Sequence, residues 1–186
     1  VDLVRTGADE FYVLEDNCRT PSGVSYMLEN REIMMRMFPD LFKANRVSPI
    51  DDYPTRLLQT FMSLAPPKCE NPEPTVVLLT PGPMNSAYYE HSFLSDQMGI
   101  EMVQAEDLFV DSEFLYMKTV SGPKRVDIVY RRIDDNFLDP LSFNPESLIG
   151  IPGIMSVYRT GGVTILSAPG SGLSLIHISE PTRRGI

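Results

Sequence analysis

Val1 to Gly23 reads VDLVRTGADEFYVLEDNCRTPSG: two strand-like runs, Val1 to Val4 and Phe11 to Glu15, around a turn containing Gly7. Side chains alternate between the faces of a strand, so Glu15 and Asn17 are expected on one face and Asp16 on the other. A carboxylate and an amide oxygen at that spacing suit a hard cation. Magnesium takes oxygen donors and leaves its remaining positions to water and substrate phosphates. The competing reading is a solvated strand end before a turn, the commoner meaning of an isolated Glu-x-Asn tripeptide.

The surroundings of the tripeptide shift that balance. An Asp-Leu strand, a short turn, Val-Leu-Glu-x-Asn and a Pro-Ser-Gly loop follow in order, a pattern that resembles the magnesium-binding hairpin of the ATP-grasp ligases. Read whole, Asp2 to Arg31 is similar to the circularly permuted ATP-grasp family, type 2. So are Thr80 to Leu108 (TPGPMNSAYYEHSFLSDQMGIEMVQAEDL), Val126 to Phe143 (VDIVYRRIDDNFLDPLSF) and Pro152 to Arg159 (PGIMSVYR), in the same order. The resemblance covers about Val1 to Gly172. In ordinary ATP-grasp enzymes the hairpin comes near the end, after the Rossmann-like domain, whereas here it comes first.

What the resemblance implies is an α/β fold: the ATP-grasp magnesium-hairpin region, then a Rossmann-like pre-ATP-grasp domain with a mainly parallel sheet. It implies ATP-dependent ligation of a carboxylate to an amine through an acyl phosphate. Mg2+ and ATP are the expected cofactors, and small-molecule or peptide-like carboxylates and amines the expected partners. Glu15 and Asn17 become metal ligands, and Arg19 the catalytic cation on the anionic intermediate. Two rivals stand beside this reading: a non-catalytic binding or assembly protein that keeps the fold, and an ATP-dependent phosphotransferase. The family's nucleotide-binding lysines and glycine-rich loop lie beyond Gly172, so this piece alone is expected to be inactive.

Composition narrows the field further. The chain has 186 residues, with 42% hydrophobic and 22% charged, as in globular domains. Sixteen basic against 25 acidic residues give a net charge of −9, which opposes attraction to phosphate backbones and argues against nucleic acid as a partner. Cys18 and Cys69 are too few for a disulfide framework, and no apolar run approaches a membrane span. A cytoplasmic setting without membrane partners is expected. The first residue falls inside a strand, so the true start is expected to be missing. At the other end, Leu173 to Ile186 departs from the family, and LSLIHISEPTR back-translates without a break to a transposase adapter used in sequencing libraries. The tail is therefore expected to be non-native, the alternative being a genuine strand with a polar end.

Four stretches are expected: 1–65, the metal hairpin and its helices; 66–74, a proline-rich connector; 75–172, the Rossmann-like domain; and 173–186, the tail. Apolar spacing predicts helices over Ser25 to Met37 and Tyr53 to Leu64, the first with a Met-rich face read as core, the second capped by Asp51 or Asp52 with Pro54 in its first turn. Thr75 to Thr80 reads as a buried parallel strand and Ala87 to Met98 as a helix capped by Asn85 or Ser86. Glu101 to Gln104, a hairpin over Phe109 to Met117, Val126 to Tyr130 and Val163 to Ser167 supply further strands. Alternating strands and helices imply a mainly parallel sheet.

The loop Thr80-Pro81-Gly82-Pro83 follows a strand and precedes a helix, where open α/β sheets bind ligands and backbone amides can hold an anion. In ATP-grasp enzymes the pre-grasp domain helps form the substrate pocket, so resemblance makes Gly82, Asn85, Ser86, Tyr88, Glu90 and His91 candidates. Ordinary capping and packing is the alternative for each. Arg131 and Arg132, expected just past a strand, suit bidentate contact with phosphate or carboxylate, or else pair with Asp134 and Asp135. There is no Walker-type phosphate loop, no zinc spacing and no nucleophile elbow.

Overall fold

The computed structural model describes residues 2–171; the tail read as adapter-derived lies outside them. The hairpin forms as β1 (Asp2–Arg5) and β2 (Phe11–Glu15), antiparallel. Leu3 pairs with Val13, but Asp2 pairs with Glu15, so one extra residue of β2 is accommodated at Leu14. Such a bulge re-aims side chains. Without it Asp2 would oppose Leu14; with it Asp2 opposes Glu15. The ribbon exposes apolar side chains on both faces, Leu3, Phe11, Tyr12, Val13 and Leu14 among them, although two strands alone are marginally stable in water.

Three helices follow: α1 (Val24–Met37), α2 (Pro39–Ala44) and α3 (Tyr53–Met62). The Met-rich face of α1 is not core, contrary to expectation. Ser25 is the sole buried residue of this helix, and Met27, Met34, Met35 and Met37 are exposed. The reason is where α1 docks. Its first turn is held against the body, where Tyr26 meets Tyr89 with ring centroids 5.6 Å apart, and Leu28, Glu29 and Arg31 stay half-buried across a groove from Phe93, which leaves the methionines largely toward solvent. The sequence reading had no helix at α2, which begins with Pro39 at a position where a missing N–H costs nothing. Asp52 stands before α3 but gives no side-chain cap, because its carboxylate pairs with Arg56 one turn on, at 2.5 Å.

The main sheet is built from β3 (Val76–Leu79), β4 (Glu101–Val103), β8 (Ile128–Arg131) and β9 (Thr164–Leu166), in the order β4-β3-β8-β9 and parallel throughout. Both faces are covered, as the continuous run Val76 to Leu79 requires. Val76 and Leu78 pack with Phe61 of α3 and with Leu94 and Met98 of α4 (Tyr88–Met98). Val77 and Leu79 pack on the other side with Ile154, Met155 and Val157 of a short helix, Ile154–Arg159. That layer also takes in an antiparallel sheet of β5 (Leu108–Asp111), β6 (Phe114–Met117) and β7 (Lys124–Val126). The result is a mixed α/β architecture around a parallel core.

The single strand expected over Val126 to Tyr130 is divided. Val126 ends β7 in one sheet and Ile128 begins β8 in the other, with Asp127 between them accepting from Thr75 N at 3.0 Å. Gly161 and Gly162 turn the chain into β9, and Lys68 of the proline stretch donates its backbone N–H to Gly161 O at 3.2 Å. No helix among the described residues is long and apolar enough to cross a membrane.

Candidate functional site

The strand order reverses between β3 and β8: the chain leaves β3 toward β4 on one side, and β8 leads to β9 on the other. A crevice opens at such a point beyond the carboxyl ends of the strands. Here it is a cavity of about 280 Å³ between the loops that follow β3 and β8. Pro81, Ile133, Phe137 and Ile149 give it apolar walls, while Thr20, Asn85 and Asp134 bring polar groups. Thr20 reaches it from the hairpin side of the chain.

Beside the cavity lies a buried polar node. Glu90 and Arg132, each about 1% exposed, form an ion pair at 3.2 Å. Glu90 Oε2 accepts from Gly23 N at 2.6 Å, Ser25 Oγ at 2.9 Å and Ser25 N at 3.2 Å. Arg132 donates to Pro21 O at 2.7 Å, to Ser22 Oγ at 2.6 Å and to the Tyr130 hydroxyl at 3.0 Å. Two residues of the Rossmann-like layer thus grip the segment between hairpin and α1. Beside them, the enclosed His91 ring nitrogen Nδ1 shares a hydrogen bond with Thr80 Oγ1 at 2.9 Å. Burial first, and the charge of Arg132 second, push its pKa down to about 4, so the imidazole is neutral near pH 7.

Arg131 is not at an open strand end, as expected from sequence. It is the last residue of β8 and fully buried. It donates to Ser167 O at 2.7 Å, Ile133 O at 2.7 Å and Ala168 O at 3.2 Å, and pairs with Asp135 at 2.5 Å. That many acceptors let a guanidinium sit inside the fold, where it ties together the ends of β8 and β9. Burial lowers its pKa, with Asp135 opposing.

The remaining candidates are more open. Gly82 has φ +101°, and a Cβ there would stand 2.5 Å from Gln104 Oε1, so glycine is what this turn accepts. Asn85 Oδ1 accepts from Ala87 N at 2.9 Å. The cap position of α4 falls on Ala87, without a side-chain cap from Asn85 or Ser86. Ser86 is exposed, and Tyr88 is half-buried at the head of α4. Arg19 lies at the cavity rim, paired through Nε with Asp134 at 3.3 Å.

At the hairpin, β2 ends on Glu15, and Asn17 lies in the irregular segment beyond it. Asp2, which the sequence reading passed over, shares a register position with Glu15. The signal available for it was strand pairing, but an unbulged register would have set it against Leu14. Like charges directly opposed on a ribbon are destabilising, and among the described residues neither carboxylate has an ion-pair partner at hydrogen-bonding range. Carboxylate oxygens are donors of the kind that magnesium accepts. No group of three or more His, Cys, Asp or Glu stands at metal-binding spacing among the described residues.

Residues 1–174 match the profile of the family described as circularly permuted ATP-grasp type 2. The chain belongs to that family. An uncharacterized protein of Synechocystis sp. is 54% identical over 173 residues, covering 93% of this chain and 36% of its own length. An uncharacterized protein of Mycobacterium tuberculosis is 48% identical over 185 residues, covering 98% of this chain and 33% of its own length. The latter alignment therefore enters the segment read above as adapter-derived. A Frankia alni protein provisionally named glutamate–cysteine ligase 2-3 is 36% identical over 173 residues, 93% of this chain and 20% of that protein. The chain spans about a third of the length of its uncharacterized relatives in Synechocystis and M. tuberculosis. Family membership is in keeping with ligase-type chemistry.

Proposed function

We propose that the parent protein is an ATP-dependent carboxylate–amine ligase and that this chain contributes its metal hairpin and part of its substrate cleft. The observation carrying the reading is the approach of the two. Asn17 precedes Thr20 by three residues, so the donor-bearing end of the hairpin is within about 11 Å of the cavity wall along the chain. In this reading 1–65 serves the grasp region and 75–172 the pre-grasp domain. Asp2, Glu15 and Asn17 would hold magnesium, which would supply positive charge to the transferring phosphoryl group. The substrate carboxylate attacks the γ-phosphorus of ATP, releasing ADP. The amine then attacks the acyl carbon, phosphate leaves, and the amine's proton passes to solvent or base.

The chain's own residues position and shield. Asn85 and Thr20 offer hydrogen bonds at the cavity rim, and the buried Gly82 lets the Gln104 side chain pack close against the loop. Ser86 and Tyr88 follow Asn85 on the chain that leads into α4. Arg19 swings from Asp134 to the anionic intermediate, a short movement for a half-exposed side chain. Arg132 lines the cleft, and Glu90, His91 and Arg131 support it from behind. The name of the Frankia relative favours amino-acid substrates, so glutamate with cysteine leads the panel of acids and amines to test. A full-length relative, incubated with Mg-ATP and carboxyl-18O acid, is expected to form ADP only with an amine present and to carry label into phosphate. A stable phosphorylated product would identify a phosphotransferase instead, and no turnover across the panel would favour a non-catalytic binding protein.

A further inference from the structure

The Glu90–Arg132 pair is placed where the sequence puts substrate-binding groups, yet apart from Arg132 Nε, which is buried without a partner, its polar atoms are engaged by the protein itself. Both Glu90 oxygens and both terminal nitrogens of Arg132 are engaged, and each side chain is about 1% exposed. A buried ion pair is tolerable only when further hydrogen bonds complete it. Most of those bonds come from one segment, Pro21 to Ser25, which stands at least 65 residues away in sequence. Pair and segment therefore depend on one another: lifting the segment strips acceptors and donors from two enclosed charges. Since an uncompensated buried charge is so unfavourable, the contact is held or lost as a unit. Arg19 with Asp134 and Thr20 at the cavity wall extend the seam toward the hairpin.

The geometry points to Glu90 and Arg132 as positioning residues: they fix the root of the metal hairpin against the cleft between β3 and β8, so that the donors Asp2, Glu15 and Asn17 are delivered to one place relative to a ligand bound there. This rests on the ligase reading for its purpose, although the clamp itself does not. The hairpin has little else to hold it, for its apolar side chains lie exposed on both faces.

Spin labels on the exposed Cys18 and on Asp96→Cys, at an exposed position of α4, read the position directly in the full chain carrying Cys69→Ser. The parent is expected to give one narrow distance distribution. Glu90→Gln keeps the shape but removes the charge, and the double change Glu90→Leu with Arg132→Met replaces the pair by apolar groups of similar volume. Both are expected to broaden the distribution while the thermal transition of the Rossmann-like layer persists. Should the double variant fail to fold, Ser22→Ala with Ser25→Ala loosens the same seam from the segment side and is expected to broaden it partially. An unchanged narrow distribution in the folded variants would overturn the proposal. In a full-length relative, Glu90→Gln is expected to lower kcat on the order of 100-fold, as small misplacements do, with the magnesium requirement unchanged. A raised magnesium requirement with unchanged kcat would also overturn it, by making Glu90 part of the metal site. Absence of amine-dependent turnover in the unmodified relative would refute the ligase reading alone and leave the clamp to stand on the spin-label result.

Discussion

Acid should weaken this fold through His91 in a way one substitution can isolate. The imidazole is about 1% exposed, bonded to Thr80, and has its pKa pushed down to about 4. In the unfolded chain it titrates near its ordinary value of about 6.5. Between these limits the unfolded state binds a proton that the folded state refuses, so stability is fully present above about pH 6.5 and falls as pH drops toward 4. A shift of about 2.5 units at 1.36 kcal/mol per unit sets the loss at about 3 kcal/mol. His91→Asn keeps a polar atom near the Thr80 hydroxyl but cannot titrate. Its cost at pH 7 is a separate packing and hydrogen-bond effect. Urea melts of both proteins at pH 7, 5.5 and 4.5 supply the comparison, with the carboxylates common to both cancelling in the difference. The unsubstituted chain should lose about 2.5 kcal/mol more than the variant between pH 7 and 4.5. Parallel stability curves would refute the account, showing that the buried ring accepts its proton as readily as a solvated one.

Three other outcomes are expected. In a full-length relative, Glu15→Gln should weaken magnesium-dependent ATP turnover on the order of tenfold or more, whereas Asp16→Asn should leave it near the unmodified rate; equal effects would remove Glu15 from the metal site. Asp139 is fully buried, and its carboxylate accepts from Leu141 N at 2.9 Å, Gly153 N and Met155 N at 3.0 Å and Ser142 Oγ at 3.2 Å. Asp139→Ala orphans several of these donors and should cost about 3 kcal/mol in denaturant melts. Gly162→Ala sets a Cβ 2.0 Å from the Glu113 carbonyl oxygen and 2.8 Å from Val157 Cγ1; backbone must move, so a loss of about 1–3 kcal/mol is expected, and an unchanged transition would mean that the turn yields freely.

Local sequence by itself determined the elements whose residues answer to their neighbours in the chain. Phe11 to Glu15 forms its strand as read, Val76 to Leu79 is buried on both faces as a continuous apolar run must be, and Tyr53 to Met62 starts its helix with Pro54 in the first turn. Alternation and helical periodicity are short-range properties, so they are written in the residues themselves. The φ of +101° at Gly82 is seen only in the structure.

Only the tertiary structure decided what those elements meet. The Met-rich face of α1 carries the apolar spacing of a core helix, yet it is exposed, since periodicity records which face is apolar and not whether anything covers it. Glu90 reads from sequence as a substrate contact or a packing residue, and Arg131 and Arg132 as anion contacts or partners of Asp134 and Asp135. They are enclosed because Ser22, Ser25 and Ser167 arrive from distant parts of the chain, and Asp135 from four residues on, to satisfy them. The pairing of Asp2 with Glu15 turns on a single extra residue at Leu14, and alternation along one strand says nothing about such a slip. A register is a relation between two strands, and the buried pair is a relation between two layers; neither is present in a local window of residues.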